Sequence, residues 1–407
     1  MVKKKLIACL MAVAVTGSLF VGCGSSGSSG NTSSTDGKEI TIWTKVKEDE
    51  MKVIEDSAKK WAEDTGNTVK VVNDEGEFQD YLQAANSSKG PDVYIGMPHD
   101  NLASFKEAGL LEEVPDGTFD KDKYTSESVW EATSFEGKNY AVPLAQESVA
   151  LFYNKDKVKE VPKTMDDLIK VAKENDNGFQ IDLGNFYITG GIIQSYGGYI
   201  FGGKSGNYDV KDIGLANDGA KEGYQFLQDL VLKDKLMPAD ITGDIASSNF
   251  KDGKSAFYIS GPWDVAQFEK AGLNFGVAKI PTIKGGDYKS FLGVQTAMVS
   301  SKSQNKDLSW DLLKHIVDNE GESLLKAGNR IPVLKTVADS QAVKDNEYFQ
   351  GFIEQANSAI PMPNILEMQA VWNATSQITR LYKGESPETV GKDVVSAIEK
   401  GIQTQGQ

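Results

Sequence analysis

One stretch of the chain matches the phosphate-binding loop of nucleotide-hydrolysing proteins. Residues 198–205 read GYIFGGKS, which satisfies the pattern G-x-x-x-x-G-K-[ST]. That loop binds phosphate when a strand precedes it and a helix follows it, because backbone N–H groups and the helix N-terminus hold the anion. The next residues, 206–209, read GNYD, which indicates a turn rather than a helix. We therefore interpret the match as a coincidence.

Candidate metal-binding and catalytic residues are few. Asp120, Asp122 and Glu131 stand at positions 1, 3 and 12 of a window spaced like a calcium-binding EF-hand loop. Thr125 occupies position 6, where that loop needs Gly. Two Cys and two His are too few for a Cys/His zinc site or a disulfide framework. We expect no metal, no cofactor and no catalysis by His, while a carboxylate pair of the glycoside-hydrolase kind stays possible.

The six tryptophans are more informative. Three of them lie at core positions of predicted strands or helices and are expected to be buried: Trp43, Trp61 and Trp310. Trp130 is undecided. Trp263 follows Gly-Pro at a strand-to-helix turn, and Trp372 has several amide and hydroxyl side chains around it. Aromatic rings at such corners suit stacking on the flat apolar faces of sugars, whose hydroxyls pair with carboxylates and amides, although each Trp taken alone is more typical of a core.

Composition excludes one class of partner. The chain has 43 Lys and Arg against 58 Asp and Glu, a formal net charge of −15. Because binding to a phosphate backbone needs clustered positive charge, we expect no nucleic-acid partner. With 407 residues, of which 40% are hydrophobic, the chain is long enough to form two folded lobes.

The amino terminus is typical of an export signal. Lysines at 3–5 precede a short, interrupted apolar run over residues 6–21, which favours a signal peptide over a membrane span. The run ends in Gly22-Cys23, which resembles a bacterial lipobox with Phe20 in place of the usual Leu. We predict a signal peptide over 1–22, a lipidated Cys23, and a flexible tether rich in Gly and Ser over 23–37. The alternative is a plain secretory signal with an incidental Cys.

Hydrophobic periodicity predicts alternating strands and helices. The predicted strands are 39–43, 68–72, 92–96, 149–153, 255–259, 275–280 and 291–299. Helices lie between the first three strands, capping residues predict helix starts at Thr164 and at Asn217 or Asp218, and the last third is mostly helical. A β-α-β-α-β series folds as an open, mostly parallel sheet, and ligands gather beyond the carboxyl ends of its strands, here 43–48 and 96–101.

Seven stretches, in their order and spacing, carry a resemblance to a known family. They are ITIW (40–43), GPDV (90–93), HD (99–100) with AGLL (108–111), FYNKD (152–156), YDVKDIG (208–214), SGPW (260–263) and MPNI (362–365). From Lys38 to its end the chain resembles the maltose/maltodextrin-binding proteins of bacterial ATP-binding-cassette (ABC) importers, which are extracellular solute-binding proteins.

The resemblance implies an α/β fold of two lobes, of the periplasmic-binding-protein type, in which each lobe is a mostly parallel sheet flanked by helices. The implied boundaries are 38–145 plus 295–340 for lobe 1, and 146–294 plus 341–407 for lobe 2. Three crossings, near 145–147, 291–295 and 340–344, would form a hinge that closes the lobes on a ligand in the cleft between them.

The resemblance also implies a set of sugar-binding residues. Asp100 and Glu147 correspond to hydroxyl-binding carboxylates of the family. The other implied ligand-binding positions are Lys45, Met97, Asn185, Tyr187, Trp263 and Trp372. Tyr187, Trp263 and Trp372 match sugar-stacking aromatic residues, Lys45 matches a first-lobe loop position and Asn185 a second-lobe polar position. The sequence departs from well-known members at Met97, where they have Trp, and at Asn101 and Ser376, where they have basic residues, so the preferred sugar can differ.

These features together predict a binding protein rather than an enzyme. We expect a monomer, exported and anchored by lipid at Cys23 to the outer face of the bacterial cell membrane. It would capture maltose or maltodextrins and deliver them to the permease subunits of an ABC importer. The alternatives are a binding protein for another oligosaccharide, such as a cyclodextrin, and an exported glycoside hydrolase that uses two of the cleft acids.

Overall fold

The computed structural model of the chain describes residues 37–74, 76, 78–87, 89–175, 178–204 and 207–405. The predicted signal peptide, the predicted lipidation site Cys23 and the predicted tether up to residue 36 lie outside the described residues. Ser205, the last residue of the phosphate-loop-like match, lies outside them as well.

The first part of the chain folds as the periodicity predicts. Its elements are β1 (Glu39–Thr44), α1 (Glu48–Thr65), β2 (Thr68–Asn73), α2 (Phe78–Ala85), β3 (Val93–Pro98) and α3 (Leu102–Glu107). Ile54, Ala58 and Trp61 lie on one face of α1 and are buried, as their spacing indicates. The helix ends at Gly66, whose φ of 73° lies in the left-handed region that favours glycine at a helix end.

The remaining elements do not alternate strictly, since several strands and several helices follow one another directly. The strands are β4 (Ser134–Phe135), β5 (Lys138–Asn139), β6 (Val142–Glu147), β7 (Ala150–Asn154), β8 (Phe179–Gln180), β9 (Gly202–Lys204), β10 (Asn207–Asp209), β11 (Phe257–Ser260), β12 (Phe275–Ala278), β13 (Phe291–Val299), β14 (Ile331–Pro332) and β15 (Ile360–Pro361). The helices are α4 (Ser128–Glu131), α5 (Met165–Lys173), α6 (Phe186–Ser195), α7 (Asp218–Leu232), α8 (Gly243–Lys251), α9 (Val265–Lys270), α10 (Lys306–Gly328), α11 (Lys335–Ala338), α12 (Gln341–Asp345), α13 (Phe349–Ala356), α14 (Met368–Thr375) and α15 (Pro387–Gln405).

Local capping residues fix several helix starts. Thr164 is the N-cap of α5, where its hydroxyl accepts a hydrogen bond from the Asp167 amide at 3.1 Å and donates to the Asp167 carboxylate. Asn217 caps α7 in the same way, through its side-chain oxygen and the Ala220 amide. Both predicted helix starts are confirmed. A capping side chain bonds to residues that are close to it in sequence, so the sequence alone can predict it.

The larger sheet is mixed. Its order is β14-β6-β13-β3-β1-β2, and β15 also pairs with β13. β1 is parallel to β2 and to β3, whereas β13 is antiparallel to both β3 and β6. The prediction of a mostly parallel sheet therefore holds for β1 to β3 and fails for the strands beside them. The first half of β13 lies beside the last residues of β3 and β6, where Gln295 pairs with Pro98 and Gly293 with Glu147. From there β13 runs back between these two strands, antiparallel to both.

The smaller sheet has the order β12-β7-β11-β8. β7 is antiparallel to both of its neighbours, and β8 is parallel to β11, so this sheet is not mostly parallel either. The Phe152 ring on β7 packs against other buried aromatic rings, among them Phe268 at 5.5 Å and Phe352 at 5.9 Å between centroids. Such a ring cluster supplies much of the apolar core on this side of the molecule.

Two strands connect the sheets. β6 belongs to the larger sheet, and β7 of the smaller sheet begins three residues after it ends. β13 starts at Phe291, which packs in the core of the smaller sheet, and ends at Val299, which packs in the core of the larger one. Two of the expected lobe boundaries fall on these strands, while the division into lobes at the stated residues stays a prediction.

The tryptophans divide as follows. Trp61 and Trp310 are buried, as their helical spacing predicts, and Trp130 is buried too. Trp43 was expected to be buried and is half-buried, because it lies over the Tyr81 ring at the edge of a core cluster rather than within it. None of the described helices combines the length and the apolar character that a membrane crossing needs.

We predict that Gly351→Ala destabilises the protein by about 1–3 kcal/mol. Gly351 lies in α13 where the helix touches β12, and a Cβ there would be 2.6 Å from the Val277 carbonyl. The usual gain from replacing a helical glycine is smaller than this backbone clash. Urea denaturation measures the change. Gln350→Ala, at an exposed position of the same helix, is the control and should shift stability by less than about 0.5 kcal/mol.

Candidate functional site

A cavity of about 480 Å³ lies where the two connecting strands meet the helices on either side. Its lining residues are Pro98, Asp100, Asn101, Glu147, Asn185, Tyr187, Trp263, Met362, Gln369, Trp372 and Asn373. They come from the end of β3, the end of β6, the start of α6, the turn after β11, the segment after β15, and α14. A cavity that draws its walls from both sheets suits a ligand that is held between them.

Asp100 is the most constrained acid in the cavity. It lies in a 3₁₀ turn directly after β3 and is 4% exposed. The Trp372 indole N–H donates to its Oδ2 at 2.9 Å. Among the described residues, its Oδ1 has no hydrogen-bond partner. Because a buried acceptor without a donor is costly, this oxygen is a ready partner for a ligand hydroxyl.

Burial raises the pKa of Asp100 to about 6, and the hydrogen bond from Trp372 opposes that rise. The carboxyl group therefore titrates close to neutral pH. A donor that reached Oδ1 would favour the ionised form and lower the pKa again.

His99, the residue before Asp100, fixes the turn in place. It is 2% exposed, and its Nδ1 accepts a hydrogen bond from the Val294 amide at 3.1 Å. The proton must then reside on Nε2, which lies 3.1 Å from the Met362 carbonyl and donates to it. Burial lowers the pKa of His99 to about 4, so the ring stays neutral. This neutral ring joins the turn after β3 to β13 and to the segment after β15.

The turn that carries Trp263 is held by a short polar network. Asp264 accepts hydrogen bonds from the Ser260 hydroxyl at 2.6 Å and from the Tyr258 hydroxyl at 3.2 Å. A Cβ on Gly261 would lie 2.2 Å from the Trp263 ring, so the ring folds back over a residue that has no side chain. The result is a half-buried indole fixed on the cavity wall.

Tyr187 and Trp372 complete the aromatic wall. The Tyr187 ring stacks on Phe291 with 5.8 Å between centroids and 25° between planes, and it lies 6.3 Å from Trp263. Burial raises the pKa of Tyr187 well above its usual value, so the hydroxyl stays a donor, and it bonds to the Glu147 carbonyl at 3.3 Å. Asn185 caps α6 by accepting from the Tyr187 amide at 2.9 Å, which places it at the rim.

Glu147 is the second acid of the cavity and the last residue of β6. It is 6% exposed, and the Gln295 side-chain amide donates to its Oε1 at 2.9 Å. Its Oε2 pairs with the Arg330 guanidinium. Both oxygens already have protein partners, yet each can accept a second hydrogen bond.

The structure brings together six of the eight predicted binding residues. They are Asp100, Glu147, Asn185, Tyr187, Trp263 and Trp372. Lys45 lies elsewhere, because its exposed ammonium group donates to the Gly76 carbonyl at 2.6 Å. Met97 is 3% exposed and packs with Leu102 and Phe105 in the core, because this part of β3 is buried on both faces. Neither residue is among the described residues that line the cavity.

Five lining residues are outside the set of eight predicted binding residues, although the first two fall within 96–101, where ligands were expected: Pro98, Asn101, Met362, Gln369 and Asn373. Gln369 and Asn373 carried a usable signal, because Gln369 stands three positions before Trp372 and Asn373 stands four positions after Gln369 on the same helix. Gln369 donates to Asn101 at 3.2 Å and so links α14 to the turn after β3. Within the described ranges, no group of three or more His, Cys, Asp and Glu side chains could hold a metal ion.

Comparisons with known proteins agree with this architecture. Residues 56–351 match the model of a family described as bacterial extracellular solute-binding protein, and the chain belongs to that family. The galactooligosaccharide-binding protein of Bacillus subtilis is 32% identical over 416 residues, 98% of this chain and 97% of that protein. The maltooligosaccharide ABC transporter solute-binding lipoprotein of Streptococcus pneumoniae is 32% identical over 420 residues, 98% and 97% of the two chains.

Solved structures extend the likeness to the fold. The maltose-maltodextrin binding protein of Alicyclobacillus acidocaldarius is 37% identical and superposes with a TM-score of 0.85, covering 89% of this chain and all of that one. The maltotriose binding protein of Thermus thermophilus, solved with maltotriose, is 28% identical with a TM-score of 0.82 over the same shares. The predicted two-lobed α/β fold is thereby confirmed.

We predict that Trp372→Phe raises the pKa of Asp100 further above 6 in the protein without ligand. The substitution removes the indole donor to Oδ2, and this hydrogen bond is the larger of the two that oppose the effect of burial. NMR titration of the Asp100 carboxyl carbon measures the pKa. Trp263→Phe, which changes another indole of the same cavity, should leave it unchanged. An unaltered pKa of Asp100 in Trp372→Phe would contradict the assignment of the Trp372 indole as a donor to this carboxylate.

Proposed function

We propose that the protein captures a maltose- or maltodextrin-type oligosaccharide in this cavity and delivers it to the permease subunits of an ABC importer. One observation carries the proposal: no described residue donates to the Oδ1 of the buried Asp100, and the cavity wall that holds this acid also holds the Trp263 and Trp372 indoles. Sugars supply what this wall lacks, since they carry hydroxyl donors at the edge and flat apolar faces above and below.

The charges of the cavity support a neutral ligand. Asp100 and Glu147 are the charged side chains among the described residues of the lining, and Lys or Arg is not found there. An anionic ligand would face two carboxylates without a partner for its own charge, which is unfavourable in a mostly buried site. Uncharged hydroxyl groups avoid that cost and satisfy the acceptors.

The names of relatives support the kind of sugar but do not agree on one. The Thermus structure contains maltotriose, the Alicyclobacillus protein is named for maltose and maltodextrin, and the Bacillus subtilis relative is named for galactooligosaccharide. The preference for a maltodextrin-type ligand rests on the larger number of relatives named for such sugars and on the resemblance in the binding positions. A galactooligosaccharide is the second candidate.

The proposal includes a location and a mode of action. The family is extracellular, and the Streptococcus relative is called a lipoprotein, which supports export and lipidation at Cys23 on the outer face of the cell membrane. We propose a monomer divided at the implied lobe boundaries, whose lobes close on the sugar by bending at the connecting strands. The family and these relatives are solute-binding proteins, so we propose binding without hydrolysis.

Ligand-induced thermal stabilisation tests the sugar class. We expect maltotriose and longer maltodextrins to raise the melting temperature, because a ligand that binds the folded state alone stabilises it in proportion to occupancy. The panel includes galactooligosaccharides and cyclodextrins. Stabilisation by galactooligosaccharides without any effect of maltodextrins would select the second candidate. Release of shorter sugars from maltoheptaose, lost in Glu147→Gln, would show a hydrolase instead.

We predict that Trp263→Ala weakens maltotriose binding by about 1–3 kcal/mol, or roughly 5- to 150-fold, in isothermal titration calorimetry. The half-buried indole packs against the core and is fixed on the cavity wall, so its loss removes a stacking face for the sugar. Tyr199→Ala is the control, because this exposed ring is not among the described residues of the lining. An unchanged affinity in Trp263→Ala would remove this residue from the site.

We predict that maltotriose affinity falls as the pH drops through 6. The Asp100 carboxyl has a pKa of about 6 in the free protein, and a bound hydroxyl lowers it, so below pH 6 binding must release a proton. The expected loss is about tenfold between pH 7 and pH 5. His99 stays neutral in this range, since burial lowers its pKa to about 4. Asp100→Asn should bind more weakly and show no such slope; a slope that persists there would assign it to another group.

A further inference from the structure

Arg330 lies between two buried carboxylates, one of which belongs to the cavity. Its Nε donates to Glu50 Oε1 at 2.8 Å and its Nη2 to Glu50 Oε2 at 3.2 Å, while its Nη1 donates to Glu147 Oε2. The three side chains are 10%, 4% and 8% exposed. Salt screens so well shielded an ion pair only weakly. Breaking it would leave buried charges without a partner, which is costly.

Strand register places Arg330 beside Glu147. β14 is antiparallel to β6, with Ile331 paired to Gln146, so the residue before Ile331 stands opposite the residue after Gln146. Asn329, the C-cap of α10, has a φ of 52° and turns the chain from the helix into this strand. Helix α10, its left-handed C-cap Asn329 and strand β14 therefore together set the position of the Arg330 guanidinium.

Glu50 holds the far side of Arg330. It stands in the first turn of α1, and its carboxylate packs on the backbone of α10, where a Cβ on Gly328 would lie 2.3 Å from its Oε1. The guanidinium thus donates two of its five N–H groups to Glu50 and one of the remaining three to Glu147. Because a guanidinium is planar and rigid, fixing one side also fixes the direction of the other.

Glu147 is therefore held from two sides. β13 supplies Gln295 on one side, and the loop before β14 supplies Arg330 on the other. Arg330 is not among the described residues that line the cavity, so it lies behind the carboxylate that a ligand would meet. Without the guanidinium, Glu147 would keep one protein partner from this pair and could turn away from the cavity.

We propose that Arg330 is a positioning residue for ligand binding: it holds the Glu147 carboxylate toward the cavity, so that affinity depends on a side chain which the ligand does not touch. The proposal rests on the proposed function in one respect, the role of Glu147 as an acceptor for a sugar hydroxyl. It also makes Glu50 a part of the site, since Glu50 orients Arg330.

A double-mutant cycle measured with maltotriose tests the proposal. We expect Arg330→Met to weaken binding at least tenfold, and Glu147→Gln to weaken it by a similar factor. In the Glu147→Gln background, Arg330→Met should weaken binding by less than about twofold, because the residue through which it acts is already altered. An equal loss in both backgrounds would mean that Arg330 supports the fold in general, and would overturn the proposal.

Arg380→Met is the matched control. Arg380 also bridges two acids, Glu385 and Asp393, but it is not among the described residues that line the cavity. Its loss should leave maltotriose affinity unchanged. If Arg330→Met does not fold, Arg330→Lys replaces it in the cycle, because an ammonium group keeps the charge and loses the planar fork. We expect a loss of about threefold to tenfold there, and wild-type affinity in folded Arg330→Lys would overturn the proposal.

A crystal structure of unliganded Arg330→Lys separates this proposal from the proposed function. If the Glu147 carboxylate leaves its wild-type position, Arg330 positions it whatever the ligand is. If the carboxylate stays in place, the positioning role is overturned even when the protein binds maltodextrins. Failure of the wild-type protein to bind any sugar of the panel would count against the proposed function alone.

Discussion

Two carboxylates are buried at one cavity, and the rest of the site is arranged around the cost of keeping them there. A charged group out of water must be neutralised or given hydrogen-bond donors. Glu147 receives an amide and a guanidinium, and both of its oxygens are occupied. Asp100 receives one indole N–H, and burial raises its pKa to about 6. The two acids therefore differ in kind, one being fixed by the protein and the other left partly unsatisfied.

That difference assigns separate tasks to them. A carboxylate held from two sides offers a ligand a fixed geometry, because neither oxygen can move without breaking a bond to the protein. A carboxylate with a spare oxygen offers energy, because a ligand donor removes a penalty that the free protein carries. Aromatic side chains then supply contact area without further polar demands, and Trp372 serves in both ways, as a wall and as the donor to Asp100.

How well the sequence predicts this site depends on how far apart in the chain the interacting residues lie. The caps at Thr164 and Asn217 depend on residues three positions away, and both were predicted. The larger sheet was predicted less well, because its antiparallel half depends on strands that arrive from distant parts of the chain.

Individual site residues show the same dependence. Met97 was expected in the cavity because a known family has Trp there, but the packing of β3 turns it into the core. Arg330 was not predicted at all, since its partners stand 183 and 280 positions away in the chain and no local sequence pattern indicates them. Resemblance located the acids, and the structure was needed to show what holds them.

The same contacts bear on the closure that we propose for the two lobes. His99 joins the turn after β3 to β13 and to the segment after β15, and Trp372 joins α14 to that turn, so a ligand at Asp100 touches a junction of several elements. At the rim, Lys270 at the end of α9 pairs with Asp49 in α1 at 2.6 Å. Both side chains of that pair are largely exposed, so it adds little energy on its own. In the closure that we propose, the energy therefore comes from the cavity, where the polar groups are buried.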